Sequence, residues 1–249
     1  MSDMTTTRRL CGFRPSGRLH LGHYFAVVRP AIDTGADVLV ADHHAPDGAG
    51  TDAAIRTLTT FGVPAANVVR QREVFDAELY FRLMHLATAG DLGRMTQYQS
   101  AGEGDRTGHL LTYPVLMAHD VAGYHEVLVG DDQEQHLRFA RKLLANCNAV
   151  HGTTYPLPVA RTVGGRVRDL RDPSKKMSKS APAGCLFLDD KPETIRKKVR
   201  KASVTPDGLA NLRALHAEFV GGEPPAGNEA LKTALSDGLI RAFARPTAE

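Results

Sequence analysis

Val38-Leu-Val-Ala-Asp-His-His44 is a short apolar run that ends in three polar residues. A second segment, Glu126-Val-Leu-Val-Gly-Asp-Asp-Gln133, has the same pattern. Each pattern predicts a buried β-strand followed by polar side chains. Ligands of α/β proteins bind at the carboxyl ends of parallel strands, so Asp42–His44 and Asp131–Gln133 are the first candidate site residues.

Helix-like segments separate and follow these strands. Their apolar residues recur at steps of three and four. The predicted helices are Tyr24–Asp33, Asp52–Phe61, Ala77–Ala89, Tyr113–Ala122 and Gln133–Asn146. The alternation of strands with helices predicts an α/β fold with a parallel sheet.

The carboxyl-terminal part of the chain has a different pattern. Gly221–Gly227 contains Pro224-Pro225 and predicts a linker. Asn228–Ala244 follows with leucines at steps of four and predicts one last helix. We therefore expect a small helical part at this end.

Length and composition exclude several classes of protein. The chain has 249 residues, of which 42% are hydrophobic and 24% charged, as in an ordinary globular protein. Its three cysteines form no Cys-x-x-Cys, which argues against a disulfide framework or a zinc ribbon and favours the reducing cytoplasm. No apolar run reaches the roughly 20 residues that span a bilayer. We expect a soluble protein with no membrane partner and no exported form.

Positive charge is concentrated in one segment. The net charge is only +3, but Arg161–Lys201 carries 13 Lys and Arg against 5 Asp and Glu. That local excess of +8 predicts contact with an anionic partner. The alternative is a solvated basic surface.

The motif Arg14-Pro-Ser-Gly-Arg-Leu-His20-Leu-Gly-His23 places a turn before two histidines. We expect the histidines to share a helix face near its N-terminus, where amide groups favour phosphate. Gly22 is expected to leave room for a ligand at the backbone. Metal binding is a weaker interpretation, because no His-Glu-x-x-His or similar ligand set is present. Neither a Gly-x-Gly-x-x-Gly motif nor a P-loop is present.

A second motif, Asp172-Pro-Ser-Lys-Lys176-Met-Ser-Lys179-Ser180, contains lysines among small polar residues. Ammonium groups on a flexible loop suit the stabilisation of a departing polyphosphate. On its own the motif would also fit a basic surface or a targeting patch.

Together the two motifs resemble the signatures of class I aminoacyl-tRNA synthetases, the second letter for letter. Three further segments resemble the tryptophanyl-tRNA synthetase family: Arg94-Met-Thr-Gln97, Leu111-Thr-Tyr-Pro-Val-Leu-Met-Ala-His-Asp120 and Val129-Gly-Asp-Asp-Gln-Glu-Gln-His136. The resemblance extends from about Cys11 to about Thr205. It implies a Rossmann-like catalytic domain over residues 1–180, including the lysine loop. It also implies a short α-helical part over residues 181–249, truncated relative to the family.

The resemblance also implies roles for individual residues. The catalytic residues would be His20 and His23 on the triphosphate and Lys176 and Lys179 on the leaving pyrophosphate. Other ATP-binding positions would be Arg14, Ser16, Gly17, Gly22, Gln99, Gly130, Asp132, Met177 and Ser178. The amino acid would be bound by His44, Tyr113, Met117, Asp120 and Gln133. Among these, Asp120 would accept the indole N–H, and Tyr113 and Gln133 would hold the ammonium and carboxylate groups.

The implied activity is formation of tryptophanyl adenylate from tryptophan and ATP, with Mg²⁺ bound to ATP, followed by transfer to tRNA. No side-chain nucleophile is required, so the cysteines are expected in the core or on the surface. One alternative is a truncated paralogue that activates tryptophan or a related amino acid for another acceptor or with a partner. Another is a non-catalytic sensor of tryptophan or ATP. Family analogy further implies a homodimer.

Three departures from the family pattern bear on ATP binding and tRNA recognition. The family usually has glutamine at the position of Arg14 and lysine at the position of Gln99. In this chain the cation is therefore at the first position instead of the second. Arg168-Asp169 stands where the family commonly has Met-Ser, which bears on adenine packing. The short C-terminal part implies reduced recognition of the tRNA anticodon, and Lys191–Lys201 could contact RNA or form a solvated helix face.

Overall fold

A computed structural model describes residues 7–45, 48, 50–130, 133–163 and 167–244. Five parallel strands form one sheet in the order β3-β2-β1-β4-β5. They are β1 Arg9–Phe13, β2 Asp37–Val40, β3 Val68–Arg70, β4 Glu126–Val129 and β5 Val159–Thr162. The strand order reverses direction at β1, as in doubly wound Rossmann-type sheets. The predicted fold class is confirmed, and the two predicted strands are β2 and β4.

The residues form two compact units, each made of separate chain segments. The sheet unit comprises Met1–Arg14, Pro30–Pro46 and Ala66–Val163, and the helical unit comprises Pro15–Arg29, Asp47–Ala65 and Gly164–Glu249. The division predicted at residue 180 stays a prediction. Short 3-10 turns lie at Asp42–His44, Ala65–Asn67 and Glu103–Asp105, and a π-helical turn lies at Tyr24–Val28. The α-helices are α1 Leu21–His23, α2 Arg29–Thr34, α3 Thr51–Thr60, α4 Gln71–Val74, α5 Ala77–Leu86, α6 Ala89–Gly93, α7 Thr96–Ser100, α8 Gly108–Asp120, α9 Glu134–His151, α10 Pro192–Arg200, α11 Pro206–Phe219 and α12 Asn228–Phe243.

Packing of α8 and α9 against the sheet forms the core of the sheet unit. Val115, Ala118 and Leu144 are fully buried, and Leu137 is 1% exposed. These positions recur at steps of three and seven, which place them on the buried face of each helix. The opposite edge of α8 is thereby left to line a cavity.

The helix predicted over Gln133–Asn146 is Glu134–His151, and two further predicted helix bounds need correction. The segment predicted as one helix, Ala77–Ala89, is two helices, because Thr88 is extended and its hydroxyl accepts a hydrogen bond from the Asp91 N–H at the start of α6. The helix predicted at Tyr113 begins at Gly108, because the Thr107 hydroxyl caps it by accepting from the Leu110 N–H. Side-chain capping decided both boundaries, and hydrophobic periodicity does not report it.

The helical unit is held together by the apolar faces of its last helices. In α12, Leu231, Leu235 and Leu239 are each at most 1% exposed, which confirms the helix predicted from their spacing. Gly238 lies where a Cβ atom would be 2.5 Å from Cγ2 of Val220. A larger residue at 238 would force α12 away from the end of α11.

All three cysteines, Cys11, Cys147 and Cys185, are buried and are present as thiols. Burial raises the pKa of Cys11 to about 12 and that of Cys185 to about 11, so both stay as thiols at neutral pH. The cysteines are expected in the core or on the surface, and all three lie in the core. Across the described ranges, none of the helices has the length and apolar character needed to cross a bilayer.

We predict that Leu235→Ala lowers the free energy of unfolding by about 2–5 kcal/mol, because a buried leucine is replaced by a cavity. Urea unfolding followed by circular dichroism measures the loss. Thr233→Ala, at an exposed position of the same helix, is the control and should change stability by less than about 0.5 kcal/mol. Equal losses in the two variants would contradict the packing of α12.

Candidate functional site

A cavity of about 470 Å³ opens in the sheet unit at the carboxyl ends of the central strands. Phe13 and Val129 line it at the ends of β1 and β4, and Ala41 lines it just after β2. The polar residues after two strands, His44 and Gln133, contribute to its wall as expected. Parallel pairing brings these strand ends together, so segments distant in sequence share one site.

Helix α8 supplies the facing wall of the cavity. Tyr113, Met117 and Asp120 lie at steps of four and three, which place them on one helix face. The ring of Tyr113 meets that of His44 edge-on at 5.2 Å between centroids, and its hydroxyl is 3.5 Å from Oε1 of Gln133. The five residues predicted for amino-acid binding therefore line one cavity.

Asp120 is held by two neighbours at the base of this wall. Its Oδ2 accepts a hydrogen bond from Nε2 of Gln71 at 2.6 Å, and its Oδ1 is 3.2 Å from Nδ1 of His119. Burial raises the pKa of Asp120 above its usual range, and the bonds from His119 and Gln71 offset only part of this rise. A buried carboxylate in this setting is a hydrogen-bond acceptor for a donor placed in the cavity.

Another pair of side chains lies at the cavity wall. Nδ1 of His44 and Nε2 of His109 are 2.9 Å apart and form a hydrogen bond whose direction depends on the tautomers of the two rings. Burial lowers the pKa of His44 to about 4, with further contributions from His109 and Arg14. His44 is therefore neutral at pH 7 and can either donate or accept a hydrogen bond, depending on its tautomer.

Three residues of the cavity region escaped sequence reasoning: Gln71, His109 and His119. Gln71 follows β3, which has only three residues and gives no strand pattern. His109 lies one turn before Tyr113 on α8 and would have been found had the helix been predicted from Gly108. His119 directly precedes Asp120, and its adjacency was the available signal.

The predicted ATP-binding residues of the sheet unit are placed differently from one another. Arg14 lines the cavity. Gln99 on α7 is exposed, and its side-chain amide donates to the carbonyl of Gly93 at the end of α6. Gln97 lines the cavity. The carbonyl of Gly130 accepts from the N–H of Gln133 at 3.0 Å. Asp132 lies outside the described residues.

In the helical unit, His20 and His23 form a reciprocal cap on α1. Nδ1 of His20 accepts from the Gly22 N–H at 3.0 Å, and Nδ1 of His23 accepts from the His20 N–H at 3.2 Å. Their ring centroids are 4.2 Å apart. The expectation that both histidines share a helix face is therefore corrected, because His20 precedes the helix and caps it.

Gly22 makes room for an imidazole. A Cβ atom at this position would lie 2.6 Å from Cε1 and 2.9 Å from Nδ1 of His20. The space that the sequence assigned to a ligand is thus taken by the His20 ring. Any side chain at position 22 would break the cap.

The caps fix the hydrogen-bonding character of both rings. Since each Nδ1 accepts, each neutral ring carries its hydrogen on Nε2 and offers that atom as a donor. Burial is the main cause that lowers the pKa of His20 to about 4 and of His23 to about 3, and the nearby Lys176 and Lys179 lower both further. Both rings are neutral donors at pH 7, which suits hydrogen bonding to phosphate oxygens.

The lysine loop returns to this pair. Met177 is 2% exposed, and its N–H donates to the Val167 carbonyl, which anchors the loop. Lys176 is exposed, whereas Lys179 is half-buried and donates to the carbonyl and hydroxyl oxygens of Ser16, each at 3.1 Å. Burial lowers the pKa of Lys179. Ser16 and Lys179, predicted from distant motifs, are thus in contact.

Flanking positions complete this second cluster. Gly17 has φ +94°, a backbone conformation that favours glycine in the turn before the histidines. The hydroxyl of Ser178 is 2.9 Å from that of Ser180 within the loop. All the predicted residues of the helical unit therefore lie in the turn, the α1 cap or the lysine loop.

Arg168 and Asp169, the departure from the family pattern, brace the base of this loop. Oδ1 of Asp169 accepts from the N–H groups of Arg171 and Asp172 at 2.8 and 3.0 Å. The Arg168 guanidinium donates to the Pro173 carbonyl at 2.8 Å. Both side chains therefore have a structural function in holding the loop.

Comparison with known proteins gives consistent similarities. The family model for class I tRNA synthetases (W and Y) matches residues 3–237. Tryptophan–tRNA ligase 1 of Streptomyces avermitilis is 37% identical and covers 88% of this chain and 78% of the relative. Tryptophan–tRNA ligase of Halalkalibacterium halodurans is 34% identical, with 81% and 68% covered. The crystal structure of tryptophanyl-tRNA synthetase from Mycoplasma pneumoniae superposes with a TM-score of 0.76 at 26% identity, covering 97% of this chain and 86% of that one.

We predict that the free energy of unfolding falls as the pH is lowered from about 6.5 towards 4. Unfolded histidine binds a proton near pH 6.5, whereas folded His20, His23 and His44 stay neutral down to about pH 3 to 4, so acid favours the unfolded chain. Urea unfolding at a series of pH values measures the slope.

His23→Asn keeps an acceptor near the Nδ1 position without a titrating ring, and should give a shallower slope. His85→Asn, at an exposed position of α5, is the matched control. An identical pH dependence in the two variants would contradict a buried, neutral His23.

Proposed function

Because the chain belongs to the class I tRNA synthetase family that includes the tryptophan and tyrosine enzymes, we propose that it activates tryptophan with ATP and transfers it to tRNA. The observation that carries the choice of tryptophan is Asp120, a buried acceptor lining a cavity of about 470 Å³. An indole ring has one N–H donor that such a carboxylate can accept. A phenylalanine side chain would leave the carboxylate without that donor.

Recognition of the amino acid is assigned to the cavity of the sheet unit. Asp120 accepts the indole N–H, while Met117 and the ring of His44 pack against the indole. Tyr113 and Gln133 bind the ammonium and carboxylate groups. Their mutual contact in the cavity wall supports this assignment.

The chemical step joins the tryptophan carboxylate to the α-phosphorus of ATP. A carboxylate oxygen forms the new P–O bond, and the bond to the bridging oxygen of pyrophosphate breaks with its electron pair leaving on pyrophosphate. His20 and His23 donate hydrogen bonds to the triphosphate, and Lys176 and Lys179 neutralise the leaving group. Mg²⁺ enters bound to ATP as part of the substrate.

Further contacts to ATP are assigned to other residues that the sequence motifs indicate. Lys179 releases Ser16 and follows the phosphates as they leave, because its two bonds to Ser16 are replaceable by phosphate oxygens. The remaining positions assigned to ATP are Arg14, Gly17, Gly22, Gln99, Gly130, Asp132, Met177 and Ser178. For Gln99 this requires its bond to the Gly93 carbonyl to break.

The acceptor is proposed to be tRNA, contacted by the basic helix α10. Two of its cations are paired: Arg196 with Asp237 at 2.5 Å, and Lys198 with Asp190 at 2.6 Å. Lys197 and Arg200 are exposed in its last turn. Exposed cations on one helix suit the phosphate backbone of RNA.

A homodimer and a cytoplasmic location complete the proposal. Val74 on α4 and Phe81 on α5 are 51% and 59% exposed, and large apolar side chains at this exposure suit a subunit interface. Three buried cysteine thiols suit a reducing compartment.

Exchange of radioactive pyrophosphate into ATP tests activation, and charging of total tRNA tests the acceptor. We expect exchange with tryptophan alone among the standard amino acids, and charging of a single tRNA. Exchange without charging would indicate another acceptor. Absence of exchange with every amino acid would contradict the proposed function.

We predict that Lys179→Ala slows tryptophan-dependent exchange by about 10²–10³-fold, because a preorganised cation no longer neutralises the pyrophosphate. Lys175→Ala is the matched control in the same loop, since Lys175 is exposed and pairs with Asp172. Steady-state exchange kinetics measure both variants. A comparable loss in both would show that the effect is general to the loop and would contradict a specific role for Lys179.

We predict that the chain behaves in solution as a dimer and that Phe81→Glu shifts it to a monomer, because a charge would enter an apolar interface. Light scattering coupled to size-exclusion chromatography reports the mass relative to the 26.9 kDa chain. Val204→Glu, at another exposed apolar position, should leave the mass unchanged. A monomeric wild-type protein would contradict the proposed dimer.

A further inference from the structure

We propose that His119 is a positioning residue that orients the Asp120 carboxylate towards the indole N–H and so sets the selectivity for tryptophan. This inference rests on the proposed function, because it concerns recognition of the substrate in the same cavity. His119 itself does not line the cavity. It acts through Asp120.

The tautomer of His119 follows from its two contacts. The ring is 6% exposed, and its Nε2 accepts a hydrogen bond from the Asp76 N–H at 2.9 Å. A backbone N–H can only donate, so Nε2 carries no hydrogen in the neutral ring. The hydrogen lies on Nδ1, which donates to Oδ1 of Asp120 at 3.2 Å.

The Asp76 N–H is itself fixed in direction. Asp76 caps α5, with its Oδ1 accepting from the N–H groups of Glu78 and Leu79. The ring of His119 also packs against Phe75, with centroids 5.0 Å apart. The start of α5 therefore holds the imidazole in place, and the imidazole holds Oδ1.

Gln71 does the same for the other carboxylate oxygen. It is fully buried, its Oε1 accepts from the His43 N–H at 3.1 Å, and its Nε2 therefore faces Oδ2 of Asp120. Each oxygen thus has one fixed donor, which prevents rotation of the carboxylate about its Cβ–Cγ bond. The remaining lone pairs are left for a donor inside the cavity.

This arrangement uses neutral donors. Neither an imidazole with a single hydrogen nor an amide supplies a positive charge that would compete for the carboxylate as an ion pair. The N–H of the ligand can then bond to a carboxylate oxygen whose orientation is already fixed. Loss of one donor would let the carboxylate rotate, and the selectivity for a ligand N–H would fall.

The test compares tryptophan with 3-benzothienylalanine, in which sulfur replaces the indole N–H. Selectivity is the ratio of kcat/KM for the two amino acids in pyrophosphate exchange. Asp120→Asn, in which a neutral amide replaces the carboxylate, sets the reference value for a weaker acceptor of the N–H. The wild type is expected to prefer tryptophan well above that value.

Two variants of His119 separate its nitrogens. In His119→Asn the side-chain amide lies near the Nδ1 position and still donates to Asp120, so selectivity is retained. In His119→Gln the amide lies near the Nε2 position and the donor to Asp120 is lost, so selectivity falls about tenfold through kcat/KM for tryptophan alone. Thermal unfolding of each variant reports folding independently of activity.

Loss of selectivity in His119→Asn and His119→Gln alike, or a parallel loss of kcat/KM for both amino acids, would overturn the inference. Selectivity in the wild type no greater than in Asp120→Asn would overturn it as well. Absence of exchange by the wild type with any amino acid would instead contradict the proposed function, and the two failures are therefore distinguishable.

Discussion

Backbone pairing of β1 with β2 on one side and with β4 on the other is the constraint on which the sheet unit depends. It aligns the carboxyl ends of three strands that lie between Arg9 and Val129 in the sequence. The cavity opens where these ends meet, and α8 covers it from one side. Change of the strand order would separate His44 from Gln133 without changing either residue.

The start of α1 in the helical unit depends on a different interaction, the reciprocal capping of His20 and His23. In most helices a serine, threonine or aspartate satisfies the first amide groups. Here the imidazoles do so, and the same bonds direct the remaining N–H of each ring. Local helix chemistry and phosphate recognition therefore use the same two side chains.

Much of this could be predicted from sequence because the signals are local. Buried strands such as Val38–Ala41 and the leucine spacing of α12 follow from periodicity, and the lysine loop follows from its composition. The two signature motifs indicated the residues of the helical unit, and the strand ends and further family-like segments indicated those of the cavity wall. What could not be predicted arises from contacts between distant segments: β3 is too short for a pattern, and Gln71 gains its role only when the sheet brings it to Asp120.

The structural role of the family departure could not be predicted for the same reason. Arg168 and Asp169 look like a disturbance of the nucleotide site when only the sequence is considered. In the folded chain they bond to the backbone of Arg171, Asp172 and Pro173 and stabilise the loop. A substitution within a motif can therefore move from ligand binding to scaffold support while the neighbouring lysines keep their place.

The close packing of the His20 ring against Gly22 has an evolutionary consequence. The capping position of the His20 ring requires glycine at position 22, so a substitution of either residue affects the function of the other. A gene copy released from selection for activity could gain a side chain at position 22, which would break the cap and misdirect the His20 imidazole. Such a copy would keep every histidine and lysine of the signatures and yet have begun to diverge into a binding protein.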